Sequence, residues 1–257
     1  FYVLFALVLP GKWGDLQKAT YLFATYGVFG VIGPALFGFG VGLAIEREKG
    51  WLELKRVSPM PTFVYFIAKI SMSLAFGLAI VCLLSIAAIG FGGVRISAGA
   101  WLALTATLLL GTLPFCAMGL WLGTLVKGQA AVALVNLVYL PMSVLSGLWI
   151  PLFVFPALMQ KLAVLWPAWH LAQMALGAVG QAQDVRFGLH AIVLLATTAV
   201  FYDTLRHDIR KSFRHVVEGV ERVERIYGAD STQAQVAKSV AVLQLLDDFP
   251  TNRENIA

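Results

Sequence analysis

The chain has 257 residues, 59% of them hydrophobic and 13% charged, with a mean hydropathy of +0.80 and a formal net charge of +5. Soluble domains average about 45–50% apolar and about 25% charged, so a water-soluble globule is excluded for most of the chain. Residues 1–202 hold 11 Lys+Arg and 5 Asp+Glu, whereas 203–257 hold 8 and 9, which divides the sequence into an apolar membrane region and a charged tail. The positive excess lies among apolar runs, where basic side chains report topology rather than nucleic-acid binding. No nucleic-acid partner is expected.

A helix needs about 20 mainly apolar residues to cross the roughly 30 Å hydrocarbon layer. Residues 1–10 read as the end of a span whose start is missing, and charge-free runs at 19–45, 70–94, 96–126 and 128–160 qualify as spans. A shorter run at 187–202 becomes adequate with a few more residues. Within the first complete span, residues 27–42 read GVFGVIGPALFGFGVG, and Gly119 and Gly123 form a GxxxG further on. Small residues at helical spacing let spans approach closely, so these are packing devices, with Pro34 a kink. Cys82 and Cys116 lie inside apolar runs without metal or disulfide spacing and read as small core residues.

The stretch 162–183 is uncharged and long enough to span, but it carries Pro167, His170, Gln173, Gln181 and Gln183 and follows Pro151 and Pro156. The reading preferred is a re-entrant or interfacial helical hairpin on the outer face, where broken backbone is tolerated under a cover of protein or water. Trp149, Trp166 and Trp169 suit a headgroup zone there. If the stretch spans instead, the tail moves to the other side.

Orientation follows the basic loops. Arg47, Lys49, Lys55, Arg56 and Lys127, with Arg206, Arg210, Lys211 and Arg214 after the last span, place the 46–61 loop and the tail in the cytoplasm. Lys12, Lys18, Arg95, Lys161 and Arg186 fall on the opposite side. The tail carries Leu205, Ile209, Phe213, Val216, Val220 and Val223 at helical spacing, which predicts an amphipathic helix ending at Gly228. A second helix is predicted at Thr232 to Leu246, with Asp230 and Ser231 as caps. A self-packed helical hairpin, a dimerisation or regulatory element and a fusion to unrelated sequence all fit this tail.

The loop after the first complete span reads EREKGWLELKRVSPM, residues 46–60. Gly50 ends or bends the helix, WLELKR makes a short amphipathic turn, and Ser58, Pro59 and Pro61 stop it. Such a segment is either a docking knob for a cytoplasmic protein or an ordinary interfacial loop. It resembles the ExEKGTLExLxxSP signature of the integral membrane permeases of type-2 ABC exporters, which move drugs, lipids or polysaccharides. The segment 146–176, SGLWIPLFVFPALMQKLAVLWPAWHLAQMAL, is similar to that family's stretch before the last span. Departures are Trp51, where Thr is common, and Leu176, where a basic residue is frequent.

Charge distribution and helical periodicity divide the chain into a permease domain at 1–202 and a cytoplasmic helical tail at 203–257. The resemblance, which covers roughly residues 20–203, implies an all-α integral membrane protein: a polytopic bundle of six spans, the first truncated, with an outer re-entrant helical hairpin. It further implies a homodimer, or a pair with a similar permease, in the plasma (inner) membrane bilayer, energised by a cytoplasmic ATP-binding subunit that holds ATP and Mg²⁺. Carried over residue by residue, Glu46, Glu48, Lys49, Gly50, Glu53, Ser58 and Pro59 form the ATPase-facing set. Pro151, Pro156, Pro167 and His170 mark the outer segment that closes the pathway.

The chain itself carries no G-x-x-x-x-G-K-[ST], no H-E-x-x-H and no G-x-S-x-G. No catalytic role, cofactor or metal is therefore expected in it. Lys69 lies in a span about two turns past Pro61 and is expected to snorkel to the interface. His170 is expected to be a hydrogen-bonded structural histidine, and His190 to face the interface. The apolar spans lean toward a hydrophobic, drug-like or lipidic cargo. An ion-coupled carrier or channel, and a membrane anchor or sensor acting through its tail, are the rival readings.

Overall fold

A computed structural model describes residues 2–8, 12–13, 16–51, 62–182, 186–228 and 231–248. Helix α1 (Tyr2–Val8) precedes a two-stranded antiparallel ribbon, β1 (Lys12–Trp13) and β2 (Leu16–Gln17), which pairs Lys12 with Gln17. Then comes a 31-residue helical run from Lys18 to Glu48. It comprises α2 (Lys18–Leu36), a π-helical turn (Phe37–Val41) and α3 (Gly42–Glu48). Beyond the loop lie α4 (Thr62–Gly90), α5 (Ala98–Leu110), α6 (Leu113–Leu125) and α7 (Ala130–Leu145). A 3₁₀ turn (Leu152–Val154), α8 (Ala157–Ala163), α9 (Pro167–Ala178), α10 (Phe187–Tyr227) and α11 (Thr232–Asp248) complete the order.

Among the described residues, four helical runs are long and apolar enough to cross a membrane: Lys18–Glu48, Val64–Gly90, Ala98–Leu125 and Phe187–Thr204. The first is the core of the bundle. It is apolar all round, and α4, α5, α6, α7 and α9 all pack on it, so Leu22, Val28, Ile32, Ala35 and Leu36 are fully buried. Close approach is bought by glycine, because the GxxxG of α6 sits directly on the π turn. A Cβ on Gly123 would lie 2.5 Å from the Gly40 carbonyl oxygen, and one on Gly119 would lie 3.0 Å from Leu36 Cα.

Two spans depart from the expected outline. Residues 96–126 form two helices, because Gly111 and Thr112 break the run and Pro114 opens the second half. At this break Leu171 of α9 comes so close that a Cβ on Gly111 would clash with it. Residues 128–160 do not make one long helix. Helix α7 stops at Leu145, with the Leu148 N–H donating to the Ser143 carbonyl at 3.1 Å and the Gly147 N–H to that of Val144 at 3.0 Å. This is a Schellman closure, and Gly147 supplies its left-handed residue at φ 74°.

The 162–183 stretch is likewise broken. α8 ends before Val164, and α9 starts at Pro167 and packs against α2, α5 and α10. Helix α10 runs unbroken for 41 residues through Tyr202 to Tyr227. Gly228 follows at φ 85°, and α11 folds back onto α10. Ser231 donates its hydroxyl to the Gly228 carbonyl at 2.8 Å while its own carbonyl accepts from Gln235 N–H; Asp230 lies outside the described residues. Cys116 is buried as expected, whereas Cys82 is exposed on the outward side of α4.

Candidate functional site

Glu46, Arg47, Glu48, Lys49 and Lys69 gather where α3 ends and α4 begins, at the base of the 46–61 loop. The Lys49 N–H closes the last turn of α3 on the Ile45 carbonyl at 3.0 Å, and Gly50 then turns at φ 69°, a left-handed conformation suited to glycine. Glu48, Lys49 and Trp51 are exposed there, with the Lys49 ammonium 4.8 Å from the centre of the Trp51 ring. Glu53, Ser58 and Pro59 lie outside the described residues.

Glu46 does not share the exposed face. Its Oε1 lies 2.7 Å from Lys69 Nζ, and its Oε2 accepts a hydrogen bond from the Tyr65 hydroxyl at 2.9 Å. The Glu46 and Lys69 side chains are only 13% and 17% exposed, so each charge depends on its partner. A residue two positions further along a helix is rotated by about 200°, which is why Glu46 turns inward while Glu48 turns outward. Lys69 therefore does not snorkel freely to water. Its ammonium also donates to the Gly38 carbonyl in the π turn at 3.3 Å and lies 5.5 Å from the Tyr65 ring centre. Gly42 makes the room, since a Cβ there would lie 2.9 Å from Lys69 Nζ.

A second loop is stitched to the same base. Arg47 Nη2 donates to the Val126 carbonyl at 2.9 Å, and the Gly128 N–H reaches the Ala44 carbonyl at 3.4 Å. The Glu48 carboxylate occupies the space a Cβ on Gly128 would need. The turn holding Lys127 and the end of α3 are thus one continuous surface. Sequence reasoning missed Arg47, Tyr65 and Gly128 here, because it had no register between α3, α4 and the 126–129 turn.

The other end of the bundle holds a buried histidine pair. His170 of α9 and His190 of α10 are both buried, their Nδ1 atoms 2.9 Å apart. His170 Nε2 lies 2.9 Å from the Val164 carbonyl, which can only accept. Nε2 therefore carries a proton, and in the neutral ring the His170 Nδ1 accepts from His190. Trp169 packs edge-on against both rings. His170 is buried and hydrogen-bonded, and His190 points inward rather than to an interface. Trp169 is buried too, and Trp149 packs edge-on against Phe29 of α2.

The three prolines of this segment all open helical turns. Pro151 precedes the 3₁₀ turn, Pro156 precedes α8, and Pro167 is the first residue of α9, positions where a missing N–H costs nothing. The Tyr21 hydroxyl ties α2 to the same region by donating to the Gly147 carbonyl at 3.1 Å. Among the described residues no group of three or more His, Cys, Asp or Glu is placed to hold a metal ion.

A family profile described as "ABC-2 type transporter" matches residues 1–179. The chain is also 29% identical over 182 residues to the Bacillus subtilis (strain 168) protein named "Putative transport permease YvfS", an alignment covering 68% of this chain and 72% of that one. No solved structure matches.

Proposed function

Because the chain belongs to the ABC-2 type transporter family, whose permeases normally work with an ATP-binding subunit, we propose that it is the transmembrane permease of an ATP-driven exporter. It is a multi-pass integral membrane protein, and on this reading two copies form the pathway in the plasma membrane. A separate cytoplasmic subunit binds ATP and Mg²⁺ and performs the hydrolysis. The cargo is hydrophobic, drug-like or lipidic. Residues 1–202 are the permease domain, the 151–176 segment is the outer re-entrant closure, and 203–257 form a cytoplasmic tail.

The observation that carries this reading is the loop base inside the family-matched region. Glu48, Lys49, Gly50 and Trp51 present an exposed, charged and aromatic edge, backed by a helix end whose backbone is fixed. Glu48, Lys49 and Gly50, continued by Glu53, Ser58 and Pro59, are the set assigned to the ATPase. Glu46 serves the same loop from behind.

The test is to purify the full-length protein from its native membranes in mild detergent and identify what accompanies it. The expected result is a stoichiometric subunit with a nucleotide-binding P-loop and ATPase activity. Glu48→Ala and Gly50→Pro should then lower transport per ATP hydrolysed while the permease stays in the membrane. An ATPase-free oligomer, or normal transport by both variants, would overturn the reading.

A further inference from the structure

The π turn lies where α6 packs closely on the central helix. Its Gly40 fits against Gly119 and Gly123 of α6, backbone on backbone. π turns are rare inside α-helices and need a reason to persist. Here a charged donor reaches one of the turn's own carbonyls, because Lys69 Nζ lies 3.3 Å from the Gly38 oxygen. The same ammonium holds Glu46 at 2.7 Å, one turn beyond the π segment. One cation from α4 therefore grips the central helix both within its irregular turn and just beyond it, and Tyr65 braces the carboxylate from the same helix. The loop from Lys49 to Pro61 joins the two helices that this cluster clamps together.

We propose that Lys69 is a positioning residue through which the loop governs the π turn. With the ammonium seated between Glu46 and the Gly38 carbonyl, the turn keeps its wide register and Gly40 stays in the Gly119–Gly123 notch. A push on the loop that shifts α3 against α4 withdraws the ammonium. The Gly38 carbonyl is then released to a backbone N–H, and the turn tightens toward α-helical register. That change rotates one side of the central helix against the other and moves Gly40 out of its notch. The inference rests on the permease reading for what pushes the loop, and on the geometry alone for what Lys69 holds.

The experiment is hydrogen exchange by mass spectrometry on the purified full chain in lipid nanodiscs, comparing wild type with Lys69→Met and Lys69→Arg. Amides in the 37–45 peptide of Lys69→Met should exchange about tenfold faster, the effect of losing one charge-assisted hydrogen bond, with Lys69→Arg restoring protection. Gly42→Ala crowds the ammonium while keeping every charge and should reproduce the effect, which covers the case that Lys69→Met fails to fold. Unchanged exchange at 37–45, or a uniform rise across Lys18–Glu48, would overturn the proposal.

In the complex with its copurified ATPase, Lys69→Met should hydrolyse ATP normally yet move about tenfold less substrate per ATP, by the same release. Wild-type coupling in that variant would also overturn it. If the wild-type chain carries no ATPase, the permease reading fails, and the exchange result still decides what Lys69 holds.

Discussion

The runs Lys18–Glu48 and Val64–Gly90 are comparably long and strongly apolar, yet the first is the core of the molecule and the second its rim. Helices α4, α5, α6, α7 and α9 all pack on the first, whereas Met72, Leu83, Ile86 and Ile89 of the second are more than half exposed. The difference lies in residue size rather than hydropathy. Lipid is as apolar as leucine, so burial inside a bundle is driven by close packing and hydrogen bonding rather than by escape from water. The glycines at 27–42 let other backbones reach the first helix. The bulky side chains of α4 keep neighbours away on its outer side and suit lipid or a second copy of the chain.

The comparison is broken most severely by closing the glycine contact. Gly123→Val should cost about 3 kcal/mol, the upper part of the overpacking range, because its Cβ meets the Gly40 carbonyl rather than a movable side chain. Thermal unfolding in detergent, followed by tryptophan fluorescence, would measure it. Leu36→Ala, at a fully buried site on the central helix, should cost about 2 kcal/mol through the cavity it leaves. Tyr65→Phe removes a hydrogen bond to a carboxylate and should cost about 1.5 kcal/mol, read in the same assay as a smaller fall in Tm. Leu83→Ala, the same truncation as Leu36→Ala but at a side chain 67% exposed, should change stability by less than about 0.5 kcal/mol. A cost for Leu83→Ala matching that of Leu36→Ala, appearing only at protein concentrations that favour association, would mark this face as covered by a second copy.

Much of the helical outline was readable from charge-free windows, and the places where it was not have physical causes. Helix α4 begins at Thr62, directly after Pro61 and with Lys69 inside it as expected, although the charge-free window opens only at 70; Lys69 is carried within the helix by its pairing with Glu46. The window at 128–160 ran past the end of α7 because a Schellman closure on Gly147 leaves no trace in a charge count. Of the candidate site, the exposed edge at Glu48, Lys49 and Gly50 was legible as a motif. The inward face of Glu46 was half legible, since two residues apart on a helix cannot look the same way. Its partners in α4, and the seam from Arg47 to Val126, depend on interhelical register, which no local pattern encodes. The His170–His190 pair was hidden for the same reason.

Helix α10 has a mechanical consequence. Forty-one residues without a break make a rod about 61 Å long, roughly twice the hydrocarbon thickness. Its first part packs on α6 and α9, and its last part carries α11. A rod of that length is a lever: tilting it by about 5° within the bundle sweeps its Tyr227 end through roughly 5 Å. Small rearrangements among the membrane helices are thereby enlarged into displacements of several ångströms at its far end.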